Sequence, residues 1–559
     1  MKLSHISLKR TREFYTVPKN SLFFAKSPNS LLEKHLHTEY NQIIHSKQRE
    51  DSFMNIGQVS AFAIYFLVVL AIGVYFFMKD KDGDDKQYFL GGRAMGPWVT
   101  ALSAQASDMS GWLLMGFPGS LLAFGMGKVW IGVGLALGTI ANWIFVATRL
   151  RRFSKAAGDS ITLPQYLTNR FATSDPTLKI VCAIIFLISF TVYVASAFVS
   201  GQTVLCALFP WFADGHQKLA LAVFAIIILL YTFMGGFLAV CWTDFFQGLM
   251  MLGAILLVPI AMAMFGQFDT SYYSAFADGV SAFNTNAFAA SPADIISGLA
   301  WGLGYFGMPH ILVRFMSIEK PSMVKKSATV AIVWVILTLG AAAVIAIMGR
   351  TYLLSDGSSL AAALLPGNQQ NVFIVIVQDM FPGFIAGLLL AAIVAAAMST
   401  ADSQLLVASS SFTSDIYKPI IRKNDASDKE ISFVSRLVVV IVSIVAYFIA
   451  ASGSAWASSI MAMVENAWGL FGAAFGPVVL LSLFWKRFNY AGAVAGVIAG
   501  AVVDALWLLN LSASTGIYEI LPGFIAGGIA AVVVSLMTKA PNAEVEAIFA
   551  AATNPDIDD

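Results

Sequence analysis

Residues Ala101–Gly116 read ALSAQASDMSGWLLMG, and in them Ser107, Asp108, Ser110 and Gly111 interrupt an otherwise apolar run that continues through Pro118 and Gly119. An acid, two hydroxyls and a helix breaker thus fall near the middle of a membrane-length segment. An acidic side chain at that depth costs roughly 2.5 to 3.5 kcal/mol on insertion scales. Non-helical backbone survives there only where it lines a cavity or is buried in protein. Asp108 therefore faces a cavity or a partner, or else caps one half of a broken helix.

A second interruption stands at Trp301–Met316, WGLGYFGMPHILVRFM, where Gly302, Gly304, Tyr305, Gly307 and Pro309 punctuate another apolar segment. A span needs about 20 mainly apolar residues. Segments of that kind recur at approximately 56–78, 97–124, 129–148, 180–208, 219–236, 243–266, 293–313, 327–349, 371–412, 433–450, 457–485, 490–509 and 518–537. The expectation is an all-α integral membrane protein of about thirteen spans. The two interruptions fall in spans 2 and 7, five apart, which predicts an inverted repeat. Spans 2–6 would oppose spans 7–11, with one leading and two trailing helices and a solute held between the breaks.

Composition agrees. Of 559 residues 58% are hydrophobic and 12% charged, with mean hydropathy +0.74, where a soluble domain carries about 25% charged residues. A net charge of +1 and the lack of a basic patch exclude a nucleic-acid binder. Cys182, Cys206 and Cys241 lie in apolar runs without a CxxC pair or a histidine cluster, so neither zinc nor a redox dithiol is implied. Gly302 to Gly307 spells GxGxxG, but that fingerprint has meaning only between a strand and a helix. Gly158, Asp159 and Ser160 lack the partners of a hydrolase triad and read as a loop turn.

Loop charge orients the chain through the positive-inside rule. One set of alternate loops, with the C-terminal end, holds 22 Lys and Arg, among them Arg93, Arg151, Arg170, Arg314 and Lys539; the other holds Lys128, Lys218 and Arg350. This puts Met54 outside and the acidic tail, residues 541–559, in the cytoplasm. Residues 1–53 carry nine Lys and Arg and no segment apolar enough to export them. They read as an extension foreign to the 54–540 transmembrane domain, with Met54 the expected start of translation.

Span 9 contains Ala395 to Ser403, AAAMSTADS, poor in bulk and rich in oxygen. Ala396, Ser399 and Thr400 fall at i, i+3 and i+4, so one carbonyl and two hydroxyls share a face. Such neutral oxygens suit a small monovalent cation, completed by unwound carbonyls opposite; close packing of small residues is the alternative. Asp244 reads as the start of span 6, where an acid suits the helix N-terminus. Glu465 and Asp504 lie inside later spans and face helix neighbours such as Asn466. Trp301 and Tyr305, at i and i+4, would form one aromatic wall if their segment stays helical.

These stretches, with FLGGR at 89–93, GGFLAVCWTD at 235–244, MST at 398–400 and FGAAFGPVVL at 471–480, resemble the sodium:solute symporter family from about Met54 to residue 544. The resemblance implies the LeuT-type fold, sodium as the coupling ion, and transport rather than catalysis. By match to the family's motifs it implies a sodium site of Ala106, Met109 and Ala396 carbonyls with the Ser399 and Thr400 hydroxyls, supported by Ser107 and Asp108. It implies solute contacts at Asp108, Ser110, Gly111, Tyr193, Trp301, Tyr305 and Pro309. Glu465, Asn466, Asp402 and Ser403 depart from the family's pattern. The function expected is plasma-membrane import of L-proline with sodium, with no obligate protein partner. Another solute, such as pantothenate or a short carboxylate, is the first alternative. A channel or a transporter-like sensor is less favoured, because neither a filter repeat nor an appended domain is present.

Overall fold

The computed structural model describes residues 55–79, 89–234, 236–266, 268–274, 282–355 and 358–554. The expected start at Met54, the extension before it and the last five residues lie outside this set. Among the described residues ten helices are long and apolar enough to cross a bilayer. They are α1 (Ile56–Tyr75), α4 (Met126–Ala156), α5 (Thr177–Leu208), α7 (Phe237–Phe265), α10 (Pro321–Leu354), α11 (Gly383–Ile421), α12 (Asp428–Ala451), α13 (Ile460–Phe484), α14 (Tyr490–Asn510) and α15 (Ile520–Met537). An eleventh span is the bent pair α8 (Pro292–Phe306) and α9 (Pro309–Ser317), which meet at 44°. The other two predicted segments are also helical, but one is broken into α2 (Pro97–Asp108) and α3 (Trp112–Phe124) and the other, α6 (Gln217–Met234), is short.

Position in the bundle follows from side-chain content. The small-residue sequence of α11 lets neighbours approach closely, and 83% of its most apolar window is buried, against 28% for α1 and α15. It packs on α1, α5, α7 and α2, placing the Ala396–Ser403 stretch at the centre. The two breaks lie beside it. Pro97 begins α2 and Pro309 begins α9, where a missing N–H costs nothing. At one end of the bundle the start of α2 meets the end of α9, with Met95 N donating to Ser317 O at 3.2 Å and Glu319 N to Met95 O at 3.0 Å.

Several arginines counted as loop charges prove to be struts. Arg93 donates to Asp159 at 2.7 Å, to Ser160 O at 2.9 Å and to Met316 O; Arg151 donates to Ile318 O at 2.6 Å and Glu319 O at 2.9 Å. Arg170 reaches Ser482 O at 3.1 Å and Val545 O at 3.3 Å. Asp159 has φ 51° and serves a loop turn bonded to Arg93. The segment expected as an acidic tail contains a helix, α16 (Ala543–Thr553), whose Phe549 packs edge-on against Phe153 of α4 at 5.3 Å.

Candidate functional site

The α2–α3 break is built at Met109, whose φ of −90° and ψ of 82° turn the chain out of the helix. Helix ends leave carbonyls without intrahelical partners, and the end of α2 presents them toward α11. Ser399 Oγ donates to Ala106 O at 2.8 Å and lies 3.1 Å from Ala396 O, while Thr400 Oγ1 lies 3.4 Å from Ala106 O. Four of the five expected oxygens, two carbonyls and two hydroxyls, thus come together at a helix C-terminus, whose dipole favours a cation. Met109 Sδ accepts from Thr338 at 3.7 Å, and Ser107 Oγ bonds back to Ala104 O at 3.2 Å, facing its own helix.

Asp108 is the last residue of α2 and its side chain caps neither half of the break. Its Oδ2 accepts from the Tyr305 hydroxyl at 2.6 Å, and its backbone carbonyl accepts from Tyr193 OH at 3.2 Å, Trp112 Nε1 at 3.1 Å and Ser110 N at 3.1 Å. Its Oδ1 is buried with no partner. A lone carboxylate oxygen inside a protein is costly unless something joins it. Gly111 follows because Ser200 of α5 occupies the place a Cβ would take.

Opposite, Trp301–Phe306 winds as a 3₁₀ turn and not as the α-helix that a shared aromatic wall requires. At about three residues per turn, positions i and i+4 diverge. Tyr305 turns to Asp108, while Trp301 turns to Tyr518, with ring centroids 5.1 Å apart. Trp468 of α13 rejoins them: its Nε1 donates to Trp301 O at 2.8 Å and its ring meets Tyr305 edge-on at 5.0 Å. Asn142 of α4 fixes the same turn by donating to Tyr305 O at 2.9 Å. Trp468 and Asn142 escape sequence reasoning; an amide in an apolar span is the signal that marks Asn142. Pro309 sits at the first position of α9, buried and beside the break. Asp108, Ser110, Tyr193, Trp301 and Tyr305 are each no more than 2% exposed, so this conformation is closed around them.

Asp244 requires correction. It lies two turns inside α7, which begins at Phe237 after Gly236, and it pairs with Arg314 at 3.0 Å. Arg314, counted with the loops, is 1% exposed within α9 and also donates to Ser103, Ser403 and the His310 carbonyl. The pair explains the misreading: a buried charge is tolerated deep in a span when its opposite meets it. Asp402 is buried nearby with neither carboxylate oxygen hydrogen-bonded. Asp504 and Glu519, each 2% exposed, flank Gly469 of α13; Glu519 accepts from Asn466 at 2.9 Å, and Tyr518 OH donates to Glu465 O at 2.6 Å.

Residues 88–500 match the sodium:solute symporter family model. The chain belongs to the sodium:solute symporter family. The osmoregulated proline transporter OpuE of Bacillus subtilis is 42% identical over 491 residues, 87% of this chain and 96% of that protein. The sodium/proline symporter of Staphylococcus aureus is 43% identical over 495 residues, 87% and 93% of the two chains. Among solved structures, an outward-open Na⁺-coupled sialic acid symporter with substrate bound superposes with a TM-score of 0.66 at 21% identity, covering 88% of this chain and 98% of that one. A closed nucleobase-cation-symport-1 family transporter gives 0.51 at 13% identity over 83% and 98%. The fold of this family member is LeuT-type, an inverted repeat of five and five helices, and the protein is a multi-pass membrane transporter, not an enzyme.

Proposed function

We propose that this symporter carries L-proline inward with sodium across the plasma membrane by alternating access. The observation that carries the reading is the buried cluster of side chains at the two breaks, where Asp108 has one carboxylate oxygen on Tyr305 and the other unpartnered. Proline brings a secondary ammonium, a carboxylate and an apolar ring. Asp108 Oδ1 suits the ammonium, the first turn of α9 suits the carboxylate, and Tyr305 with Trp468 and Tyr193 suits the ring. The relatives named above as proline transporters support the same solute.

Sodium is the second substrate, held by Ala106, Met109 and Ala396 carbonyls and the Ser399 and Thr400 hydroxyls. Because Ala106 and Met109 sit on the same broken helix as Asp108, an ion drawing Ala106 and α11 together also fixes the solute half of the site. One charge entering down 100 mV releases about 2.3 kcal/mol and a tenfold gradient about 1.4, together enough for accumulation of a few hundredfold.

The orientation that the loop charges favour puts the Met54 end outside and the C-terminus in the cytoplasm, with residues 54–540 forming the transport domain and 541–559 following it. Purified protein in proteoliposomes should take up labelled proline when an inward sodium gradient is imposed. Equal uptake with choline in place of sodium removes the coupling, and sodium-driven uptake of another solute in preference to proline removes the substrate. A C-terminal reporter that fluoresces only in the cytoplasm tests the orientation.

A further inference from the structure

His310 is the second residue of α9, directly after Pro309 at the α8–α9 break, and is 0% exposed. Both of its ring nitrogens lack a hydrogen-bond partner. An imidazole always carries at least one N–H, and in its neutral form one acceptor as well, so neither tautomer relieves the deficit. Buried polar groups are nearly always satisfied, and one left wholly unsatisfied calls for an explanation in function.

The surroundings say what kind of group is missing. The ring lies edge-on to Tyr193, centroids 6.5 Å apart at 89°, and to Phe190 at 5.9 Å and 63°. Tyr193 in turn donates to the Asp108 carbonyl at 3.2 Å. His310 therefore belongs to the same wall as Asp108 and Tyr305, but on the α9 side of it. Arg314, one turn on, is no partner for the ring: its guanidinium is taken up by Asp244, Ser103, Ser403 and the His310 carbonyl. The first turn of a helix offers backbone N–H groups to an anion, and the only side chain at that turn with an N–H to add is His310, since Pro309, Ile311 and Leu312 have none.

We propose that His310 is a solute-contacting residue whose ring N–H donates to the carboxylate of the transported amino acid at the first turn of α9. This rests on the proline reading and deepens it by assigning the two ends of the solute: ammonium to Asp108, carboxylate to His310 and the α9 terminus. The assignment makes the site selective for the free acid. An amide in place of the carboxylate loses the negative charge and one of the two acceptor oxygens, and so gains less from the His310 N–H and the α9 terminus.

The test compares sodium-driven proline uptake, and its inhibition by prolinamide, in wild type, His310→Phe and His310→Asn. Wild-type uptake comes first, so failure of the proline reading is seen there and failure of this one only in the variants. In His310→Phe, which keeps a flat ring, the half-saturating proline concentration should rise about tenfold, while prolinamide inhibition stays within twofold and proline's advantage over the amide shrinks by the same factor. His310→Asn, which restores an N–H, should recover part of that advantage. Half-saturating sodium, measured at saturating proline, should change little. Unaltered preference for proline over prolinamide in whichever variant reaches the membrane folded, or equal loss for both compounds, overturns the proposal and makes His310 a packing residue.

Discussion

Thr400 and Ser399 present their hydroxyls to Ala106 O from one face of α11, at 3.4 and 2.8 Å, and a hydroxyl that donates to a carbonyl can turn its lone pairs to an ion instead. Removing one oxygen from a shell of about five should weaken ion binding without disturbing the solute wall. Thr400→Ala should therefore raise the sodium concentration for half-maximal uptake, Thr400→Ser should stay near wild type, and apparent proline affinity should fall at low sodium and recover at high sodium through linkage. Identical sodium curves for all three proteins would return these hydroxyls to helix packing. Asp108 and Tyr305 are joined by one 2.6 Å hydrogen bond. Losing a bond of that class costs about 1.5–3 kcal/mol, so Tyr305→Phe should raise half-saturating proline roughly tenfold or more, and Asp108→Asn further still, by removing the charge as well. Because the two share one interaction, the double variant should lose less than the two singles combined; additive losses would mean that they act separately. These residues are legible in the sequence because an acid or a run of hydroxyls is out of place in a span. Trp468 and Asn142 are less so, since an aromatic or a lone amide in a span usually packs or bonds locally, and only the fold reveals that both hold the Tyr305 turn.

At the level of the element, the breaks decide what the site can be, and glycine decides the breaks. Gly304 lies where the Trp468 indole meets the 3₁₀ turn, and any Cβ there would overlap the ring whose Nε1 holds Trp301 O. Gly304→Ala should displace Trp468, lower proline uptake by tenfold or more and reduce thermal stability. Gly340→Ala in α10, where nothing lies within 4 Å of the added carbon, should transport normally and, by helix propensity, be as stable or slightly more so. Uptake together with thermal unfolding of the purified variants reads both, and a fully active Gly304→Ala would show that the turn tolerates a shift. The same contrast explains what was legible. Gly and Pro clusters mark spans 2 and 7 as broken because they cannot continue a buried helix. Over only six residues, however, the periods of an α-helix and a 3₁₀ turn are too alike to separate, so the direction in which Trp301 points comes only from packing against Trp468 and Tyr518.

Across the whole molecule, charge is used in two ways that sequence counting merges. Lys and Arg on the exposed ends orient a membrane protein, whereas Arg93, Arg151, Arg170, Arg314 and Arg350 are 7% exposed or less and bond to backbone carbonyls or acids inside the protein. Removing them from the count still leaves the asymmetry between the two sets of loops, so the orientation that the loop charges favour does not rest on the buried arginines. Arg314 has the widest reach. It joins α9 to Asp244 of α7, Ser103 of α2 and Ser403 of α11, so one guanidinium ties both repeats at their shared core. Breaking a buried pair by removing one partner costs about 3–5 kcal/mol, while replacing both with apolar groups of similar volume is often neutral. Arg314→Met should therefore lower the unfolding temperature markedly, because it strands Asp244 with only the Ser103 and Ser403 hydroxyls, and Arg314→Met with Asp244→Leu should regain most of the loss. The double variant separates stability from function: if the tie between repeats serves alternating access, it should refold the thermal curve toward wild type without restoring uptake. A double variant as unstable as Arg314→Met alone would mean that the hydroxyl contacts, and not the charge pair, hold the four helices together.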